Sequence, residues 1–66
     1  MSKEYDVVGM HCHSCEMLVV SELEDAGATN VVANHETGKV TFDDEDGKLT
    51  DEIVKQAVEA AGFSLA

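Results

Sequence analysis

The fold is decided by residues 30–42 at the centre of the chain, which read NVVANHETGKVTF. The four residues 36–39 (ETGK) are typical of a turn in which Gly38 takes a positive φ. Side chains alternate on both sides of this turn, as they do in strands. The alternating residues are Val31, Ala33 and His35 before the turn, and Val40 and Phe42 after it. The pattern predicts a β-hairpin.

A helical pattern precedes the hairpin. Ser14 can act as the N-cap, Glu16 lies in the first turn where the helix dipole favours an acidic side chain, and Gly27 is a natural stop. Between these ends, apolar residues recur at helical spacing. The stripe consists of Cys15, Val19, Leu23 and Ala26, widened by Leu18 and Val20.

A second helical pattern follows the hairpin. Thr50 can cap this helix, Leu49 can pack onto Val54 as a hydrophobic staple, and Gly62 ends it. Its predicted inward stripe consists of Ile53, Val54, Ala57, Val58 and Ala61. The acidic run before it, residues 43–47 (DDEDG), lacks the twelve-residue spacing of an EF-hand and is predicted to be a solvated turn.

The two ends of the chain carry strand patterns. Residues 3–9 (KEYDVVG) alternate through Tyr5 and Val7, with Val8 expected to be part-buried, and residues 63–66 allow a short final strand. The order β-α-β-β-α-β predicts an α+β fold, a ferredoxin-like βαββαβ sandwich. A four-stranded antiparallel sheet would carry two helices on one face. With no linker or internal repeat, we expect a single domain over residues 1–66.

The chain is strongly acidic. Its 66 residues include 4 Lys and no Arg against 14 Asp and Glu, a net charge of −10. This balance argues against nucleic acid and against an anionic membrane surface, since both are bound through Lys and Arg. Proteins of near-molar salt have similar compositions, because a Debye length of about 3 Å screens self-repulsion. We therefore expect a halophilic acidic surface.

Hydropathy and size exclude other classes. No apolar run approaches the roughly 20 residues of a membrane span, and residues 1–4 (MSKE) contain no hydrophobic signal region, so we expect a cytoplasmic protein without membrane insertion. A substrate pocket of about 300–1,000 Å³ is hard to fit in so short a chain. We expect a protein that is not an enzyme and whose function lies on its surface.

The chemistry is concentrated in Cys12-His-Ser-Cys15, which contains both cysteines. A CxxC at a strand-to-helix junction can hold a metal, exchange a disulfide or supply half of a tetrahedral zinc site. A second CxxC is absent, so completing a zinc set would require His11, His13 or His35. Two soft thiolates on an exposed loop suit Cu(I), which accepts low coordination. The helix N-terminus would favour the Cys15 thiolate, while nearby Glu16 opposes ionisation.

The motif also carries a family resemblance. Residues 9–15 (GMHCHSC) resemble the GMxCxxC signature of the heavy-metal-associated domain, a family of copper chaperones, modules of copper-transporting P-type ATPases and mercury-binding proteins. The later landmarks are the hairpin turn and residues 60–63 (AAGF), so the resemblance covers nearly the whole chain. It implies the ferredoxin-like fold and a Cu(I) site formed by Cys12 and Cys15.

The resemblance also implies how such a site works. Copper would pass by direct docking to a similar domain, such as that of a copper-transporting P-type ATPase, through three-coordinate sulfur intermediates. A copper-bridged homodimer is another arrangement of paired CxxC loops. Met10 would lie in the core beneath the loop, and Phe63 would pack at the metal end and shield the thiolates from water. Because the chain starts at Met1 and stops after the fold, we interpret it as a free-standing carrier.

Two other functions stay open. A Zn(II), Cd(II) or Hg(II) carrier would use the same thiolates, with His11 or His13 as an added ligand. A thiol-disulfide exchange enzyme would use Cys12 as its nucleophile. His35, at the end of the second strand, is expected to be a partly buried histidine close to the metal end.

Overall fold

The computed structural model describes residues 2–66, so Met1, the predicted start of the domain, lies outside the described residues. The six elements are β1 (Ser2–Val8), α1 (His13–Asp25), β2 (Thr29–Asn34), β3 (Lys39–Asp43), α2 (Asp51–Ala60) and β4 (Ser64–Leu65). The predicted order β-α-β-β-α-β is confirmed. The strands form one antiparallel sheet in the order β2-β3-β1-β4. The helices pack against each other and against the sheet, which is the ferredoxin-like sandwich.

The central hairpin is confirmed, with its turn displaced by one residue to 35–38. The Asn34 side chain accepts a hydrogen bond from the N–H of Glu36 at 2.9 Å, and the Asn34 carbonyl accepts one from Gly38 at 2.8 Å. Gly38 has the expected positive φ, +75°. The Asn34 side chain therefore starts the turn one residue before the predicted position.

The core lies between the helices and the sheet. Its largest fully buried side chains are Phe42, Leu23, Val19, Val40, Val54 and Val58. The predicted cap of α2 is confirmed. Thr50 Oγ1 accepts the N–H of Ile53 at 3.3 Å, and the two residues of the predicted staple, Leu49 and Val54, are both buried. Thr50 thus satisfies an otherwise unpaired backbone donor at the helix start.

Four residues assigned to the interior lie elsewhere. Val8 is 55% exposed because alternation turns it to the sheet face opposite Val7. Leu18 lies about 100° around the helix from buried Val19 and is 52% exposed. Ile53 lies at the rim of the α2 stripe and is also exposed, and Ala26 falls at the C-cap of α1, beyond the packed turns.

The acidic loop contains a structural carboxylate, so the prediction of a solvated turn is wrong for Asp44. This residue is 5% exposed and accepts hydrogen bonds from the N–H groups of Leu49 at 3.1 Å and Lys48 at 3.2 Å. Lys3 Nζ lies 3.4 Å from its Oδ2. Burial alone would raise the pKa of Asp44, but these partners outweigh burial and hold the pKa below its usual range. Asp44 ties the loop to the start of α2.

Candidate metal centre

The CxxC motif lies where the chain turns from β1 into α1. Cys12 is the N-cap, with extended φ and ψ of −157° and 174°, so the prediction that Ser14 caps the helix is wrong. The Cys12 carbonyl accepts the N–H groups of Cys15 at 3.1 Å and Glu16 at 3.3 Å. Since this carbonyl is the first helical acceptor, Ser14 already lies inside the first turn. Both cysteines therefore lie at the positive end of the helix dipole.

The two sulfur atoms face each other 3.5 Å apart. Cys12 is exposed, whereas Cys15 is half-buried and packs against the core. The backbone N–H of Cys15, followed by the Cys15 thiol, lowers the pKa of Cys12, with smaller contributions from the Ser14 N–H and the His35 ring. The start of the helix thus stabilises a thiolate at Cys12, the N-cap residue.

The loop rests on two apolar side chains. Met10 is 5% exposed and belongs to the core, as predicted. Gly9 has a φ of +109°, and a Cβ placed there would lie 3.0 Å from Cδ1 of Phe63. The Phe63 ring therefore packs directly over Gly9, at the predicted end of the molecule. Phe63 precedes β4 rather than starting it, and its shielding of the sulfurs stays a prediction.

A carboxylate beside the motif organises two histidines. Glu16 Oε1 lies 2.9 Å from Nδ1 of His13, and Oε2 lies 2.7 Å from both the N–H and Nδ1 of His35. The hydrogen bonds from His35 N–H, His35 Nδ1 and His13, in that order, lower the pKa of Glu16 to about 2. The carboxylate is consequently ionised at neutral pH, so both Nδ1 atoms carry the hydrogen.

The sequence did not reveal this network. Glu16 was assigned a favourable position in the helix dipole and an effect opposing thiol ionisation, but no partner, and His35 is 19 residues away. His35 lies close to the metal end, as expected, and its side chain is 33% exposed. His11 and His13 are exposed. Among residues 2–66, no three His, Cys, Asp or Glu side chains are arranged to hold a metal ion together.

The separation of the two sulfurs can be compared with the spacing of two sulfur ligands on one metal ion. With metal–sulfur bonds of about 2.3 Å, a tetrahedral angle needs the sulfurs ~3.8 Å apart and a linear arrangement needs ~4.6 Å. The observed separation of 3.5 Å is close to the first value. Rotation of the exposed Cys12 side chain can widen it, so the pair can adapt to more than one coordination number.

Comparison with known proteins defines the class of this fold and site. Residues 4–64 match the heavy-metal-associated domain. The chain belongs to this family. Neither helix within residues 2–66 has the length and apolar character that crossing a bilayer requires.

Three individual proteins are similar to this chain. The CopZ metallochaperone is 30% identical, with a TM-score of 0.89 and complete coverage of both chains. The N-terminal domain of a potential copper-translocating P-type ATPase from Bacillus subtilis, solved in the Cu(I)-loaded state, is 26% identical. Its TM-score is 0.81, over 97% of this chain and 81% of that chain. Mercuric reductase from Staphylococcus aureus is 37% identical over 62 residues, covering 94% of this chain and 11% of that protein.

Proposed function

We propose that this chain is a Cu(I) metallochaperone that carries one ion on Cys12 and Cys15 and transfers it to another protein. The observation that carries the proposal is the pair of sulfurs, 3.5 Å apart at an exposed helix N-terminus. Two thiolates are soft ligands that suit a soft monovalent ion. The likeness to the CopZ metallochaperone over the whole chain supports the same interpretation.

Loading requires both thiols to lose their protons. The lowered pKa of Cys12 favours the thiolate of that residue before a metal arrives. The charge of the metal then promotes the second deprotonation. Cu(I) with two thiolates has a net charge of −1, which the backbone N–H groups and the dipole at the start of α1 stabilise.

Unequal exposure of the two sulfurs suits transfer by ligand exchange. An incoming thiolate of the partner forms a third bond to copper from the open side, next to Cys12. The bond from copper to Cys12 then breaks, a second thiolate of the partner binds copper, and the half-buried Cys15 releases the ion last. Copper stays bound throughout and its oxidation state does not change.

The proposed partner is the N-terminal domain of a copper-transporting P-type ATPase. Its support is the likeness to the Bacillus subtilis ATPase domain in the Cu(I)-loaded state. We further propose that residues 1–66 form one domain, that it acts in the cytoplasm, and that it has no catalytic turnover. A copper-bridged homodimer would join two such domains through their four thiols.

A Cu(I) titration under reducing conditions, against a chromogenic Cu(I) chelator, tests the proposal. The unmodified protein should take one Cu(I) per chain, or one shared by two chains, and show sulfur-to-copper charge-transfer absorption. The variant C12S/C15S should lose both properties while keeping its circular dichroism spectrum. Retained tight binding in that variant, or copper bonded mainly to nitrogen or oxygen by X-ray absorption, would overturn the assignment.

A second candidate is a carrier of Hg(II), or of Zn(II) or Cd(II). The identity to a segment of mercuric reductase favours mercury among these ions. Transfer distinguishes the candidates better than affinity, because any close pair of thiolates binds soft ions tightly. A copper carrier should load an ATPase domain in a single turnover, and Cu(I) should displace Zn(II) at matched free-metal activities. The second candidate would be favoured over the first if Zn(II) or Cd(II) were retained in this competition. It would also be favoured if the protein transferred Hg(II) efficiently to a mercuric reductase core and did not transfer Cu(I).

The third interpretation, thiol-disulfide exchange, has a separate test. Such an enzyme would reduce the disulfides of insulin catalytically when supplied with dithiothreitol, using Cys12 as its nucleophile. We expect insulin to be reduced by dithiothreitol at the same rate with and without the metal-free protein.

A further inference from the structure

Although a pocket of this size was expected to be hard to fit in so short a chain, an open groove of about 430 Å³ runs between α1 and β2, on the side of α1 away from α2. Met17 and Val20 line it from the helix, and Val31 and Ala33 line it from the strand. Met17 is 60% exposed, although it is one of the larger apolar side chains. The groove therefore presents an apolar surface that a protein partner can bury.

The groove lies along an edge of the sheet. β2 is one of the two edge strands, and within residues 2–66 no other strand pairs with its outer side. The pairing with β3 is irregular between Thr29 and Val32, and regular from Val32 to Asn34. The groove lies beside residues 31–33, where the regular part begins, and from there the outward N–H and C=O groups can pair with an added strand.

The charge around the groove has one sign. Among the residues that line the groove, Glu16 and Glu24 are acidic and none is Lys or Arg. Glu24 lies at the rim, and nothing basic lies in the last turn of α1 to balance it. A cationic partner would meet complementary charge here, whereas an acidic partner would be repelled.

We propose that the groove binds an extended, cationic segment of another protein, which pairs with the outer edge of β2. One apolar side chain of that segment is held between Met17 and the strand, and flanking Lys or Arg side chains face Glu24. The surface is independent of copper carriage, because it uses neither cysteine. It would give the carrier a second point of attachment, beside the metal loop.

The apolar contact and the charge contribute differently. Steering by exposed charges weakens as salt shortens the Debye length to about 3 Å at 1 M. Burial of the anchoring side chain against Met17 is not weakened by salt in this way. Added salt should therefore lower the association rate constant of the segment. Its dissociation rate constant, which is set by the contacts in the groove, should stay the same.

Selection of random twelve-residue peptides displayed on phage against the metal-free protein tests the proposal. Selected peptides should be enriched in Lys and Arg around an apolar residue and should perturb the NMR amide signals of Val31 to Asn34. Met17→Glu should weaken the selected peptides about tenfold, as the loss of a buried anchor does. Leu18→Glu is the matched control, because Leu18 is similarly exposed on the same helix and does not line the groove.

Failure of the groove proposal can be distinguished from failure of the proposed Cu(I) carriage. Binding of the peptides should be unchanged in C12S/C15S, which removes the sulfurs and leaves the groove intact. No selectable binder, no basic bias, equal effects of the two glutamate variants, or loss of binding in C12S/C15S would each overturn the groove proposal. None of these results would contradict copper binding by the unmodified protein, which is measured separately.

Discussion

Glu16 and His35 are joined by two hydrogen bonds that end on a single oxygen. Oε2 of Glu16 accepts the backbone N–H and Nδ1 of His35, each at 2.7 Å. This pair links the first turn of α1, next to Cys15, to the turn between β2 and β3. The metal loop and the hairpin are therefore held together by a charge-assisted contact that lies only one residue from a candidate ligand.

This contact makes stability depend on pH. The pKa of Glu16 is lowered from 4.5 to about 2, so the folded state favours the ionised carboxylate. The stabilisation is fully present above about pH 4.5 and is lost as pH falls towards about 2. Urea unfolding of Glu16→Gln should give a lower midpoint than the unmodified protein at pH 6, with a difference that shrinks between pH 4.5 and 2.

Asp44, whose pKa is also lowered, contributes acid sensitivity of its own. Because Glu16→Gln retains Asp44, the comparison isolates the Glu16 contribution. A difference between the two proteins that stays constant down to pH 2 would contradict the assigned contact.

The two leucines of α1 should respond very differently to truncation. Leu23 is fully buried, so Leu23→Ala should cost about 2–5 kcal/mol. That is a large share of the ~3–10 kcal/mol expected for a domain of this length. Leu18→Ala, on the same helix with a half-exposed side chain, should stay within about 0.5 kcal/mol. Thermal unfolding by circular dichroism measures both, and equal losses would contradict the assigned helix face.

The thiol of Cys12 should be reactive in the metal-free protein. Its lowered pKa depends partly on the Cys15 thiol, and it is exposed. Iodoacetamide should therefore modify Cys12 with a pH midpoint below that of a free cysteine peptide, since only the thiolate reacts. In Cys15→Ala the midpoint should rise, because the thiol contact is lost while the backbone N–H remains. Peptide mapping by mass spectrometry gives the site, and an unchanged midpoint would remove the thiol contact from the explanation.

Charge at helix ends offers a paired test. Asp25, the last residue of α1, lies in a turn with no basic residue, where the dipole favours a cation. Asp25→Lys should stabilise the protein by about 0.3–1 kcal/mol at low salt. Glu52→Lys makes the same change of charge in the first turn of α2, where acidic residues are favoured, and should be less stable than Asp25→Lys.

Both charge changes reduce the net charge of −10 equally, so their difference reports the position on the helix. Added KCl should shrink that difference and stabilise the unmodified protein by screening its self-repulsion. Stability independent of KCl would argue against the predicted halophilic surface.

Local features of the chain were predictable because their signals are local. The hairpin around Gly38 and the Thr50 cap follow from alternation, capping and turn preferences within a few residues, whereas the burial of Met10 was implied by the family resemblance. The errors have local causes too. Cys12 takes the N-cap position that a hydroxyl residue two places later was predicted to take, because its extended backbone starts the first helical turn.

Contacts across the chain were not predictable in the same way. Asp44 looked like one of several acidic loop residues, and only the approach of Lys3 and the start of α2 makes it a buried structural carboxylate. The packing of Phe63 over Gly9 joins positions 54 residues apart. A single sequence contains no periodicity that reports such pairs.

The amino-acid sequence alone determined the order of the elements and the presence of two thiols three positions apart, because hydrophobic period and residue chemistry are properties of short segments. The tertiary structure decided which sulfur is exposed, which carboxylate holds His35 and where an apolar groove stays open. Those features depend on how helices and strands that are distant in the chain pack together, and packing is resolved only when the whole core has formed.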